Sequence, residues 1–287
     1  MKRVDKYFSR TGSLIQLMII SFCLLAIALS LWKLYIHQQH SAAADYKLLA
    51  AIPPEEIISL QKYKFESWQD YVALQQAVKI FTNKEKGRGE EKREAVEEAL
   101  RALQAQLDCK TDFKNLDWSI VSKDIKKKAG QIRKILDRYP VYQPGRYEFP
   151  LARSCYYEDT FGADREGGKR THQGTDLFDK KGTKIFNVCS GTVEKLGWNR
   201  LGGERVGVRG EDGNYYYYAH LDEINPQLWV GKKISKGELI GTMGNTGDAI
   251  TTPDHLHFGI ELPNGEWLNP YPFLKVWEFH KFELTGE

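Results

Sequence analysis

Four of the chain's seven histidines fall between residues 172 and 257, and two of them stand one residue apart in the stretch PDHLHFGI. Side chains of a β-strand alternate between its faces, so His255 and His257 are expected to project from the same face. Two imidazoles placed in this way can serve one metal site. A catalytic zinc ion usually takes three His, Asp or Glu ligands and leaves a fourth position for water, and one strand cannot supply all three.

The segment THQGTDLF offers the missing ligand types, because Gly174 allows the backbone to turn between His172 and Asp176. The candidate set is therefore two imidazoles and one carboxylate, with one or two histidines left over. A single buried histidine is more often a core residue than a ligand, and neither HxxxD nor HxH is specific alone. Their joint occurrence, with His220 ending a tyrosine-rich run, favours a metal site. HExxH is absent, so a helix-borne zinc site is not indicated.

The elements around these residues are predicted to be mainly antiparallel β. The segments GTKIFNVCSGTVEKLGW and ERVGVRGEDGNYYYYAHL are strand-like, and the second contains the tight-turn dipeptide Asp212-Gly213. HLHFGIELPNGEWLNP repeats the pattern with Asn264-Gly265. We predict an α+β protein with an N-terminal transmembrane helix, a small helical region and a C-terminal, mainly antiparallel β domain.

Three motifs in this half, in this order, resemble those of the M23, or lysostaphin-type, zinc metallopeptidases: THQGTD, YYYYAHL and HLHFGI. The stretch GKKISKGELIGTMGNTG also resembles the family's sequence between the last two motifs. The resemblance covers residues 145–275. Within the family, YYEDTFGADREGGKRTHQGTDLF, GWNRLGGERVGVR and NPYPFLKVWE look most like the sporulation L-alanyl-D-glutamate peptidoglycan endopeptidases.

This resemblance implies roles for the five polar residues. His172, Asp176 and His257 would bind one zinc ion per chain, and His220 and His255 would be the catalytic histidines. Which of the two is the general base stays open, and the family's transition-state tyrosine is not placed by spacing. The run Tyr215–Tyr218 is expected to line a substrate groove, although alternate tyrosines are expected to pack on the sheet.

The N-terminus is predicted to hold a membrane anchor. A basic tail over residues 1–13 precedes an apolar segment, residues 14–36, that is long enough to cross a bilayer. Because the positive charge precedes the span, the tail is expected to be cytoplasmic and the remainder extracytoplasmic. The alternative is a signal peptide cleaved near Ala44, which would make the protein secreted.

Residues 55–138 are predicted to form a small antiparallel helical bundle, with a stalk or a site for a protein activator as the alternative. Two prolines and a glycine within residues 138–150 predict a linker after it. Cysteine is sparse, with Cys23 in the apolar span. Free thiols are expected, and a Cys155–Cys189 disulfide is the alternative.

Composition narrows the functional classes. The net charge of +3 is small, and basic and acidic residues are mixed along the chain, so no nucleic-acid partner is expected. Topology and resemblance together predict a membrane-anchored zinc endopeptidase that cleaves stem peptides of peptidoglycan, with the L-Ala-D-Glu bond as the expected target. The alternatives are a non-catalytic M23-like scaffold in a cell-wall or sporulation complex, and a hydrolase of another amide or ester.

Overall fold

A computed structural model describes residues 4–64, 66–84, 90–165 and 167–284. The first three residues of the predicted cytoplasmic tail therefore lie outside the described residues, as do four short stretches elsewhere. The predicted α+β architecture, with a long apolar N-terminal helix, several further helices and a C-terminal antiparallel sheet, is confirmed.

Helix α1, Val4–Ala50, changes character along its length. Its large apolar side chains from Ile20 to Ile36 are exposed, whereas Ala43, Tyr46 and Leu49 are almost completely buried. Those three recur every third residue, which places them on one face. The segment predicted to span the membrane is thus the middle of a longer helix whose C-terminal end is part of the folded core.

The helical region consists of four helices: α2, Pro54–Tyr63; α3, Trp68–Lys84; α4, Glu90–Asp108; and α5, Lys123–Arg138. Helix α5 shows why such sequences are helical. The Ser122 hydroxyl caps it by accepting from the Ile125 backbone N–H, and its buried residues recur at helical spacing: Ile125, Ala129, Ile132 and Leu136. This stripe faces α3, with which α5 shares most of its contacts.

Among the described residues of the C-terminal half there are eleven strands and one α-helix. The strands are β1, Asp164–Arg165; β2, Arg170–Thr171; β3, Thr175–Phe178; β4, Lys184–Phe186; β5, Gly191–Asn199; β6, Gly203–Gly210; β7, Tyr215–Ile224; β8, Lys233–Ile234; β9, Leu239–Met243; β10, His255–Glu261; and β11, Trp267–Leu268. Helix α6 is Tyr271–Phe279. Nine strands form one antiparallel sheet in which β10, β7, β6 and β5 are neighbours, while β1 and β2 form a separate ribbon.

Asp212 lies at a junction between the two halves. Its carboxylate accepts hydrogen bonds from the hydroxyls of Tyr216 (2.6 Å), Tyr147 (2.9 Å) and, from α1, Tyr46 (3.3 Å). On the other side of the junction, Trp277 of α6 donates its indole N–H to the Val141 carbonyl (2.8 Å) and stacks on Tyr147. Helix α1 is therefore fixed to the sheet domain by hydrogen bonds as well as by apolar contact.

All four cysteines are free. Cys189 is buried and Cys155 is partly buried, so the alternative of a Cys155–Cys189 disulfide does not hold in this structure. Burial raises the pKa of both thiols to about 12, which makes them unreactive at neutral pH.

Candidate metal centre

The pairing register of β10 brings a histidine and an aspartate together. His257 on β10 lies directly opposite Asp176 on β3 and, on the other side, opposite Ala219 on β7. Gly174, just before β3, makes this approach possible. A Cβ at position 174 would lie 2.5 Å from the Phe258 carbonyl oxygen and 2.6 Å from Cε1 of His257, so any side chain there would displace the imidazole.

Three candidate ligand atoms converge at this point. Nε2 of His172 lies 3.0 Å from Oδ1 of Asp176 and 3.0 Å from Nδ1 of His257, and the latter two atoms are 2.9 Å apart. Ligands at the usual zinc distances lie about 3.4 Å from one another in a tetrahedral site, so this triangle is close to one face of such a tetrahedron. Within the described residues, this is the group of His, Cys, Asp and Glu side chains that meets the spacing for a metal.

Hydrogen bonding around the triangle suits a cation. Nδ1 of His172 donates to the backbone carbonyl of Thr160 (3.1 Å), so the neutral ring directs an unprotonated Nε2 into the triangle. Burial raises the pKa of Asp176, but a proton or cation shared with His172 and His257 outweighs it and holds the pKa far below its ordinary value. An ionised carboxylate and an imidazole lone pair thus point at one buried spot, and the donor set fits zinc.

The other two histidines lie beside the triangle. The rings of His220 and His255 are 4.8 Å apart, and Nε2 of His255 is 3.9 Å from Oδ1 of Asp176. Each ring is oriented through Nδ1, which donates to a backbone carbonyl: Thr246 for His220 and Pro253 for His255, both at 2.8 Å. In the neutral tautomer this leaves Nε2 of both rings free to accept a proton.

The backbone of His220 is in the left-handed region, with φ at 62°. This is unusual for a residue other than glycine, and such strain is often associated with functional sites. The surrounding hydrogen bonds hold it, because its N–H donates to the Gly202 carbonyl (2.7 Å) and its carbonyl accepts from Gly244 (3.0 Å). The direction of the His220 ring therefore depends on the irregular backbone of β7 at this residue, and not on the alternation of side chains between the two faces of a regular strand.

Electrostatics keep two of the imidazoles neutral. Burial, together with the neighbouring His255 and His257, lowers the pKa of His220 to about 4. Burial also lowers the pKa of His257, against the opposing effect of Asp176. Neutral rings at pH 7 are the form that binds a metal or accepts a proton.

The five residues line one open cleft of about 820 Å³. Tyr215 and Tyr217 of β7 also line it, although little of Tyr215 is exposed, whereas Tyr216 and Tyr218 point to the opposite face and are buried. The four tyrosines thus alternate between the cleft and the opposite face of the sheet, as expected from the sequence.

Comparison with known proteins then gives the family. The model for peptidase family M23 matches residues 170–270, a span that contains all five of these residues. Residues 170–270 of the chain therefore match peptidase family M23.

Several relatives of this M23 domain have described activities. The L-Ala--D-Glu endopeptidase of Bacillus subtilis (strain 168) is 37% identical over 164 residues, which are 53% of this chain and 50% of that protein. The peptidoglycan DD-endopeptidase ShyC of Vibrio cholerae is 36% identical over 104 residues, covering 36% of this chain and 23% of that protein. The chain thus spans half or less of the length of these two curated relatives.

A solved structure with sequence similarity is the catalytic domain of the antimicrobial peptidase lysostaphin from Staphylococcus simulans. It is 32% identical, and the match covers 42% of this chain and 92% of that domain with a TM-score of 0.38.

Sequence reasoning missed the groups that orient the site of the M23 domain. Arg165 donates to Oδ2 of Asp176 (2.8 Å), opposite the oxygen that meets the histidines. Thr160 orients His172, and Thr246 orients His220 through its backbone carbonyl. A backbone carbonyl can belong to any residue type, so the sequence does not reveal which carbonyls orient the histidines. Of these groups, only Arg165, in the segment ADREGG, could have been recognised as a hydrogen-bond donor from its residue type.

Proposed function

We propose that the chain is a membrane-anchored zinc metalloendopeptidase that cleaves peptide bonds in the stem peptides of peptidoglycan. The observation that carries this proposal is the triangle of His172 Nε2, Asp176 Oδ1 and His257 Nδ1, whose sides are 2.9–3.0 Å. It lies in a cleft beside the imidazole rings of His220 and His255. Three electron-pair donors at this spacing repel one another unless a proton or a cation lies between them.

In the proposed site His172, Asp176 and His257 hold one zinc ion. Zinc, when bound, supplies Lewis acidity, which polarises a peptide carbonyl and makes water a better nucleophile at neutral pH. Arg165 has a positioning role, because its ion pair with Oδ2 of Asp176 fixes the carboxylate so that Oδ1 faces the two histidines.

His220 and His255 are proposed as the catalytic residues. One of them accepts the proton of the attacking water at Nε2 and returns it to the leaving amine, a role typically worth ~10²–10⁴-fold in rate. The other is proposed to take a proton from solvent at Nε2 and to donate it in a hydrogen bond to the oxyanion that develops on the carbonyl. Both tasks need Nε2 to face the cleft, and the Nδ1 bonds to the carbonyls of Thr246 and Pro253 support that orientation.

We propose the substrate class from two relatives whose names give different peptide bonds as their targets. The Bacillus subtilis relative is named an L-Ala--D-Glu endopeptidase and the Vibrio cholerae relative a peptidoglycan DD-endopeptidase. We expect the L-Ala-D-Glu bond to be the target here, because that relative shares the longer matched region, 164 residues against 104.

Membrane anchoring rests on α1. Within the described residues, one helix is long and apolar enough to cross a bilayer, and the part in question begins at Ile20. Its apolar side chains are exposed on all sides up to Ile36, a distribution suited to lipid rather than to water. The catalytic domain would then lie outside the cytoplasmic membrane, where peptidoglycan is the available substrate.

The test is digestion of purified peptidoglycan by the full chain in detergent, followed by mass analysis of the released muropeptides. We expect new amino termini at one bond type, loss of cleavage after chelation, and recovery on adding stoichiometric zinc. His220→Ala, which leaves the three proposed ligands in place, serves as the inactive control. Cleavage that persists after complete metal removal would refute the proposed mechanism, and zinc binding without any cleavage would favour the scaffold alternative.

A further inference from the structure

The cleft extends from the candidate metal centre across β7 and β6, and this extension is cationic. Lys195, Arg200 and Arg205 line it, and Glu261 is the acidic residue on the same surface. The arginines nearer the metal centre have acidic partners, as Arg165 has in Asp176 (2.8 Å). The positive charge of the extension has no comparable partner among the residues described there, so it is available to a ligand.

Arg205 is the distinctive member of this group. Its Nη1 atom is buried and has no hydrogen-bond partner among the described residues, although the side chain as a whole is partly exposed. Four residues along the same strand, Arg209 makes an ion pair with Glu194 (2.9 Å). An unpartnered buried N–H of a charged group is costly. The exposed part of the Arg205 side chain faces the cleft and is the part that a substrate group can reach.

The position of Arg205 relative to the metal centre follows from the sheet. His257 on β10 lies opposite Ala219 on β7. Arg205 lies opposite the bulge of β7, between the pairs Glu204–Leu221 and Val206–Tyr218, which is the level of Ala219. Two strand spacings of about 4.8 Å therefore separate Arg205 from His257, about 10 Å in all and the scale of one to three residues of an extended peptide.

Ala219 lies between the two points in the register, and the tyrosine rings of β7 lie beside it. Tyr217 contacts the His257 ring edge-on, with centroids 6.0 Å apart, and Tyr215 stacks next to it at 6.4 Å. Gly202 and Gly207 leave room for these rings, since a Cβ at either position would lie about 2 Å from a tyrosine hydroxyl: 2.1 Å for Tyr217 and 1.9 Å for Tyr215. A substrate chain can thus lie flat from the metal centre to Arg205.

We propose that Arg205, with Lys195 beside it, forms a subsite for a free carboxylate of the substrate, on a residue next to the scissile bond. This inference rests on the proposed function and specifies its substrate. Glutamate has two carboxyl groups, and a peptide chain uses only one of them for the following bond. The other remains as a carboxylate unless it is amidated, and a guanidinium recognises it through charge-assisted hydrogen bonds. Lys195, whose ammonium lies over the Tyr215 ring, adds a second positive charge.

The experiment compares two synthetic stem peptides that differ only in the glutamate group outside the chain, a carboxylate in one and a carboxamide in the other. The full chain in detergent, loaded with zinc, should cleave the carboxylate peptide with a kcat/KM at least ~10-fold higher, as expected for one charge-assisted contact. Arg205→Gln should bring this ratio close to one, and Arg205→Lys should give an intermediate ratio because lysine cannot bind in a bidentate manner.

Arg200→Gln is the matched control, since it removes the same charge from the same cleft at an exposed side chain. It should keep most of the preference. Equal cleavage of the two peptides by the unaltered chain would overturn the inference, and so would an equal loss of preference in the Arg200 and Arg205 variants, which would indicate general electrostatics. If Arg205→Gln fails to fold, Arg205→Lys provides the same comparison.

Failure of the proposed function is distinguishable from failure of this inference. If neither peptide is cleaved, calorimetric titration of both peptides tests the subsite without turnover. Tighter binding of the carboxylate peptide that Arg205→Gln abolishes would support the subsite, while equal affinities would overturn it.

Discussion

The helical region and the sheet of the M23 domain use the same kinds of polar side chain with different results. In the helices, Lys64 and Asp108 form an ion pair in which both side chains are more than 40% exposed. In the sheet, Asp176 and His172 are 13% and 3% exposed, and each contacts several other polar groups. Water screens the first pair, whereas the second is governed by its immediate neighbours.

This difference teaches where chemistry can be located in the molecule. Helical spacing alone positions the buried stripe of α5, and a change on its solvent face alters little beyond local stability. Strand register positions the sheet residues. In the proposed site a small shift of register would therefore alter metal binding and catalysis. The predictions below test this contrast, beginning with the sheet.

The largest effect is expected for Asp176→Asn. Loss of the negative charge from the carboxylate that contacts both histidines should abolish stoichiometric zinc binding and reduce kcat/KM more than ~10³-fold, because the Lewis acid is lost with its ligand. Elemental analysis and muropeptide release measure the two quantities. Asp179→Asn, three residues along and paired with Arg153 outside the site, is the matched control and should retain zinc.

His220→Ala should separate chemistry from metal binding. His220 is not in the triangle of candidate ligands, so zinc occupancy should stay at one per chain while turnover falls ~10²–10⁴-fold. Metal analysis paired with kcat determination checks this. A proportional loss of zinc and activity would show that His220 is a ligand, and the division of roles would be wrong.

Asp212→Ala tests the junction between α1 and the sheet. Three tyrosine hydroxyls would lose their acceptor, and the free energy of unfolding should fall by about 2–4 kcal/mol. Chemical denaturation at pH 7 measures it. Asp212→Asn retains one acceptor oxygen and should lose less; an equal loss would show that the charge, rather than the hydrogen bonds, stabilises the junction.

His280 provides a pH-dependent test at the contact between the helices and the sheet domain. It is 4% exposed, its Nε2–H donates to Gln61 (2.6 Å), and burial lowers its pKa to about 4. Between pH 6.5 and 4 the unfolded chain binds the additional proton, so the folded state loses stability as pH falls through this window, by about 2 kcal/mol at pH 5.

Unfolding measurements at pH 7 and pH 5 on the unaltered chain and on His280→Gln isolate this contribution, since glutamine does not titrate. The pH-dependent loss of stability should be smaller in the variant by that amount. An identical pH dependence in the two proteins would exclude His280 as its source.

The smallest effect is expected for Asp108→Ala in the helical region. This exposed carboxylate pairs with Lys64 and accepts from Tyr71, and its removal should change the free energy of unfolding by less than about 1 kcal/mol. Peptidase activity should not change. A loss comparable to that of Asp212→Ala would remove the contrast between the two regions.

Some of this arrangement was predictable from sequence because it depends on local period. Alternation along a strand puts His255 and His257 on one face, and the turn dipeptides mark the hairpins. The meeting of Asp176 with His257 depends on the register between β3 and β10, two strands that lie far apart in the chain, and no local pattern encodes it. The family motifs provided that information instead.

Other features had no signal in the sequence. The left-handed backbone of His220 arises from bulges in β7 and its neighbours, which residue types alone do not reveal. Arg205 lies in a strand where arginine is ordinarily a solvent-facing residue, and only the burial of Nη1 distinguishes it from Arg209. The apolar run within α1 predicts a membrane-spanning segment, but it does not show that the helix continues into the folded core.

That continuation limits how far the enzyme can reach. The exposed apolar part of α1 ends near Ile36 and burial in the core begins at Ala43, so a rise of seven residues, about 10 Å, would separate the bilayer from the core if α1 is the proposed anchor. No flexible tether allows the cleft to swing or to extend outward. An enzyme mounted in this way would search by lateral diffusion in the plane of the bilayer and would cleave only strands that come within a fixed height of it.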